Sequence, residues 1–66
     1  MRRELEAAEV YWLARVMQIQ GSRFYAHLGA ALEAADLGNR HKMYATWTED
    51  LYAFELRARE LARQEE

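Results

Sequence analysis

The chain has 66 residues, 52% hydrophobic and 30% charged, with no cysteine, no proline and a formal net charge of -2. That length bounds it to one domain, residues 1–66, near the size at which a single core is marginal, and the missing cysteines exclude disulfides, thiolate metal sites and thiol catalysis. The charge balance argues against a general nucleic-acid or membrane-surface binder, since residues 1–33 hold four Arg against four Glu and residues 34–66 hold five basic against seven acidic side chains.

The opening Met1-Arg2-Arg3-Glu4-Leu5-Glu6 mixes signs at once and lacks the apolar run and small-residue cleavage site of a signal peptide. No run of about 18 apolar residues is free of charge, so no membrane-spanning helix is indicated and a cytoplasmic location is expected. Residues 3–36 read as one long helix, with Val10, Leu13, Met17, Gly21, Phe24, Leu28, Ala31 and Ala35 on a stripe of three and four spacing. Its weak point is Gly21-Ser22, where glycine costs about 1 kcal/mol against alanine. Either the helix breaks there and the fold has three helices, or Gly21 serves close packing.

Asp36-Leu37-Gly38-Asn39 reads as the turn, because glycine and asparagine enter the left-handed conformation cheaply, and Asn39 then caps a second helix running to about Arg63. Glu49 and Asp50 lie too far inside that helix to complement its dipole. Along it, Tyr44, Trp47, Leu51, Phe54, Ala58 and Leu61 form a packing seam. If the two helices run antiparallel, partners whose numbers sum to 75 pair Tyr44 with Ala31, Trp47 with Leu28, Leu51 with Phe24, Phe54 with Gly21 and Ala58 with Met17, mostly large against small. The Phe54 pairing favours close packing at Gly21. The expected fold class is therefore all-α: an antiparallel helical hairpin of long helix, short turn and helix, associating into a four-helix bundle.

Leu5, Ala8, Trp12, Val16 and Ile19 form a second apolar stripe on the first helix, about 200° from the one that meets the second helix. A helix apolar on two nearly opposite sides lies between two layers of protein, and leaving Trp12, Val16 and Ile19 in water would forgo roughly 1.5 to 3 kcal/mol for each. The expected partner interface is Leu5, Trp12, Val16 and Ile19, extended by Tyr52 and Leu56, with Trp12 as the anchor. Its occupant is another protein or a second copy of the chain, a homodimer if the chain is alone.

Catalytic constellations are thin. His27 and His41 have Phe24 and Gly38 three residues before them where a bundle metal site places glutamate, Ser22 has no glycine elbow, and phosphate loops and zinc-finger spacings are missing. No catalytic residue, cofactor or metal is expected. Glu55 with Arg59, and Glu60 with Arg63 and Gln64, read as solvated helix pairs. Arg40-His41-Lys42 at a helix start opposes the dipole there and is a candidate anion contact. An alternative function follows from it: a homodimeric four-helix bundle binding RNA or DNA in a Rop-like manner, with Arg2, Arg3 or Arg23 alongside.

Gly38, Tyr44-Ala45-Thr46-Trp47 and Ala53-Phe54-Glu55, with the Leu5-Glu6 opening, resemble the pattern of the small E-type co-chaperones of type III secretion needle subunits. Phe54 departs from the leucine usual there. The resemblance implies a helical hairpin whose apolar face is covered by a helical-repeat co-chaperone, the pair keeping the needle subunit from polymerising in the cytoplasm. The function expected is thus a non-enzymatic protein-protein interaction module, an adaptor or co-chaperone; the bundle alternatives are nucleic-acid binding, or self-association alone.

Overall fold

Four short interruptions divide the chain into five helices: α1 (Arg2–Glu6), α2 (Val10–Gln20), α3 (Arg23–Ala34), α4 (Leu37–Thr46) and α5 (Thr48–Glu65). A computed structural model describes residues 1–65, and among these the only regular structure is helix, so the chain is all-α. It is not a two-helix hairpin. A continuous helix over residues 3–36 would be about 50 Å long at 1.5 Å per residue, whereas the longest dimension of the molecule is 30 Å.

Three of the interruptions have a local cause and lie at side chains able to cap a helix. Gly21 ends α2 with φ -77° and ψ 161°, and Ser22 follows as the cap of α3, its hydroxyl accepting from the Tyr25 N–H at a long 3.5 Å. The atoms nearest to the glycine are not those of Phe54. A Cβ placed on it would run into the Met17 carbonyl oxygen and stand 2.8 Å from the Tyr25 Cβ, so Gly21 is small because the chain turns tightly against the end of its own helix.

Asp36, not Asn39, caps the next helix: its Oδ1 accepts the Asn39 N–H at 2.8 Å. Gly38 therefore sits inside the first turn of α4 and has no positive φ, which removes the expected turn at Leu37-Gly38-Asn39. Two opposite results are expected here. Asp36→Ala should destabilise the fold by about 1 kcal/mol through the lost cap. Gly38→Ala, whose new Cβ would meet nothing nearer than the Asp36 Oδ1 at 3.8 Å, should stabilise it by about 0.4–1 kcal/mol. Denaturant titration of both variants reads the two signs, and a destabilised Gly38→Ala would contradict the helical assignment of that turn.

The second helix of the expected hairpin is split at Trp47, with φ -117° and ψ 42°. The flanking threonines take up carbonyls at the bend: Thr46 Oγ1 donates to the Lys42 oxygen at 2.8 Å, and Thr48 Oγ1 to the Tyr44 oxygen at 2.6 Å. A new helix start at Thr48 puts Glu49 and Asp50 in the first turn of α5, where their charge does complement the dipole. The break at Ala7–Glu9 has no such signal, since Glu9 caps α2 without a side-chain hydrogen bond. What fixes it is burial, because turning α1 back puts Leu5 into the core with no exposed surface.

α2 packs against both α3 and α5, while α1 lies on α4 and α5. Leu13 and Met17 of the first stripe and Val16 of the second are all fully buried, so the chain itself covers part of each apolar side of α2, while Ile19 of the second stripe stays 61% exposed. They join Leu5, Leu32, Tyr44, Leu51, Phe54 and Ala58 in one core. The large-against-small match is real but lies elsewhere: Gly29 of α3 is buried against α2, its missing Cβ only 2.8 Å from the Met17 Cβ and 2.9 Å from the Ala14 oxygen. Phe24, expected in the seam, is 55% exposed, its ring 6.2 Å from that of Trp47. Tyr25 takes the inner place and packs on Phe54 at 5.3 Å.

Tyr44 is buried at the centre, and burial first of all pushes its phenol above the ordinary 10.0, with Arg40 opposing and Glu55 and Glu6 adding to the rise. The folded form thus holds the neutral phenol more firmly than the unfolded chain. Stability from this group is complete below about pH 10 and falls as pH rises from there through the folded value. Tyr44→Phe should lessen the alkaline loss seen in urea titrations between neutral pH and pH values above 10; an unchanged slope would contradict a buried neutral hydroxyl.

Candidate interaction surface

The six residues expected to form one partner face do not share a surface. Leu5 and Val16 have no exposed area and belong to the core, because the fold-back at Ala7–Glu9 lays α1 on α4 and α5 while α3 and α5 pack against α2. Ile19 is 61% and Leu56 48% exposed, and Tyr52 is half-buried. Leu56, with Gln20 from the end of α2 and Leu61 further along α5, lines an open groove of about 390 Å³. Trp12 has a different setting.

Trp12 is half-buried and forms a wall of a cleft of about 210 Å³ between the α1–α2 connection and α5. Alanines make the cleft: Ala7 and Ala8 come from the connection, and Ala58 and Ala62, four apart, from one face of α5. No side chain longer than a methyl fills the space beside the indole at those four positions. Tyr11 braces the indole from outside in an edge-to-face contact at 5.0 Å.

The cleft is charged as well as apolar. Glu55 is only 5% exposed, and its Oε2 accepts from Arg59 Nε at 2.9 Å, one turn along α5. This pair was expected to be solvated on both sides; the arginine is, but the carboxylate is enclosed. Glu9 and Glu4 complete the acidic side. The Met1 amino group, 3.0 Å from Glu4 Oε2, holds that carboxyl below its ordinary 4.5. Sequence reasoning picked out Trp12 but missed Glu55, because its burial depends on α1 returning across α5.

Arg40, His41 and Lys42 do not form a presented basic patch. They lie beyond the first three residues of α4, and successive helix residues point about 100° apart. Arg40 is half-buried with one guanidinium nitrogen 3.5 Å from the Ala35 carbonyl oxygen, and its Nε is buried without a hydrogen-bond partner among the described residues. The His41 ring lies 6.3 Å from Tyr44, and Lys42 is exposed. The Ser22 hydroxyl is spent on the α3 cap. Among the described residues no three His, Cys, Asp or Glu side chains come together as a metal site, and no helix is long and apolar enough to cross a membrane.

Comparison of the chain with protein-family models, with curated proteins and with solved structures finds no match.

Proposed function

We propose that the chain is a small non-enzymatic protein-interaction module that receives a segment of a partner protein in the Trp12 cleft. The observation that carries this reading is the half-buried indole standing over an alanine-lined space that the chain's own core leaves open. A preformed concavity with a rigid aromatic wall is the usual setting of an interface anchor, since it gains contact area with little ordering cost. A helical-repeat co-chaperone is the partner that the resemblance at Tyr44–Trp47 and Ala53–Glu55 adds to this proposal.

Selection of short peptides from a phage-displayed random library on the immobilised protein tests the reading. Enriched peptides are expected to bind the wild type and the Trp47→Phe variant, and to lose at least about tenfold in affinity on Trp12→Ala, the cost of removing a moderate hot spot. Circular dichroism of Trp12→Ala should show an unchanged helix content. Enriched peptides indifferent to Trp12, or no enrichment at all, would contradict the cleft as the binding site.

A further inference from the structure

We infer that a second copy of this chain docks on the groove between α3 and α4, the two α3 helices lying antiparallel across a two-fold axis. This goes beyond the interaction reading above and does not depend on it, since the groove shares no wall with the Trp12 cleft. α3 packs on α2, and α4 on α1 and α5, so the two helices part from their joint at Ala35-Asp36 and leave an open space of about 470 Å³. Ala31, Ala34 and Ala35 form one wall, Met43 and Trp47 the other. Phe24 stands beside it, 55% exposed, with its ring 6.2 Å from that of Trp47.

One surface thus carries both halves of a contact, an aromatic side chain to insert and a small-walled space to receive one. Phe24, His27, Ala31 and Ala34, all exposed, share a face of α3 at spacings of three, four and three. That spacing reads the same from either end. An antiparallel second copy therefore meets it in register, with Phe24 opposite Ala34 of the second copy and His27 opposite its Ala31, large against small in each layer. Phe24 and Ala34 lie about 15 Å apart along the helix axis, so one two-fold axis seats both rings at once.

Charge selects this partner and this direction. Arg23 lies in the first turn of α3, where a cation opposes the helix dipole, and it forms no ion pair among the described residues. Across the axis it comes level with the C-terminal end of the other α3, where the last carbonyls favour a cation and Asp36 adds a carboxylate. Asp36 commits Oδ1 to the α4 cap and likewise forms no ion pair among the described residues. A parallel pair would instead set Arg23 against Arg23. Lys42, the only charged wall of the groove, is exposed, and its long stem lets the ammonium turn to water.

Area sets the strength of the contact. A standard interface takes about 800 Å² from each partner, nearly a fifth of the 4417 Å² that this chain exposes. One helix face and one groove offer less. The pair is therefore weak, monomeric when dilute and dimeric when concentrated.

Sedimentation equilibrium from about 10 μM to about 1 mM, the range in which small interfaces form, tests the assignment. The wild type is expected to pass from monomer to dimer. Phe24→Ala and Ala34→Glu, both at exposed positions, should each raise the dissociation constant at least about tenfold. Arg23→Glu should raise it by less, as an exposed charge does. Ile19→Ala, which removes an exposed apolar side chain of α2 that does not line the groove, should leave it unchanged. Thermal midpoints close to that of the wild type at the dilute end, where each chain is alone, show that the variants fold. A monomer mass at every concentration would overturn the proposal and leave the groove to a different protein. A dimer weakened by Ile19→Ala and indifferent to Phe24 and Ala34 would overturn it too, by placing the contact elsewhere.

Discussion

Leu5→Ala is expected to cost about 2–5 kcal/mol of folding stability, the range for emptying a leucine from a closed core. Nothing in the position of Leu5 near the start of the chain suggests so large an effect, and on an extended first helix it would face a partner and cost the isolated chain almost nothing. In the folded chain Leu5 has no exposed surface and packs in the same core as Val16, Leu51 and Phe54. A domain of this size has a total stability of roughly 3–10 kcal/mol, so the variant should unfold at clearly lower denaturant concentration or populate the unfolded state outright. Urea titration followed by circular dichroism reads the result. A loss below about 0.5 kcal/mol, the ordinary range of surface substitutions, would place Leu5 outside the core.

Gly29→Leu should also be clearly damaging. Even the first carbon of a new side chain would stand 2.8 Å from the Met17 Cβ and 2.9 Å from the Ala14 carbonyl oxygen, and the second of these is backbone that cannot rotate away. α2 and α3 would have to separate, exposing Leu13, Met17 and Leu32. Overpacking of this kind costs typically 1–3 kcal/mol and more where backbone must move. The better helix propensity of leucine returns only about 0.8 kcal/mol of that. Gly29→Ala should fall between the wild type and the leucine variant. A thermal midpoint that rises in either variant would show that the two helices do not approach closely at this point.

The all-α class was legible from composition and from the three and four spacing, and so was the most telling feature of α2, its two apolar sides. The rule that such a helix lies between two layers held for Leu13, Val16 and Met17 but not for Ile19, which stays 61% exposed. The layers turned out to be α3 and α5 of the same chain, because Gly21-Ser22 was a turn and not a packing glycine. Signals for the breaks were present: Ser22 and Asp36 are side chains that cap helices, Thr46 and Thr48 straddle the bend at Trp47, and Glu49-Asp50 mark a helix start. The constant-sum register overrode them by assuming a single turn. The aromatic contacts of Phe24 with Trp47 and Tyr25 with Phe54 fall on either side of that register, as helices crossing at an angle would give.

The fold-back at Ala7–Glu9 was not legible at all. It carries no glycine, no proline and no side-chain capping hydrogen bond. It follows only from the core that Leu5 completes, a nonlocal cause that periodicity cannot report. The candidate site inherits this limit. Trp12 could be chosen from its place on the second stripe, but the cleft beside it exists because Ala7 and Ala8 return across Ala58 and Ala62, and that same return encloses Glu55.

The central claim is that one chain folds back on itself to bury Leu13, Val16 and Met17 on both sides of α2, and small-angle X-ray scattering on the monomeric species, with mass checked by light scattering on the same column peak, tests it most directly. The Cα radius of gyration is 10.6 Å, close to the roughly 11 Å expected for a compact chain of this length, and with a longest principal extent of 30 Å the maximum dimension should stay well below about 50 Å. A monomer with a radius of gyration of roughly 14 Å and a maximum dimension of about 50 Å, the values of a rod as long as an unbroken first helix, would contradict it.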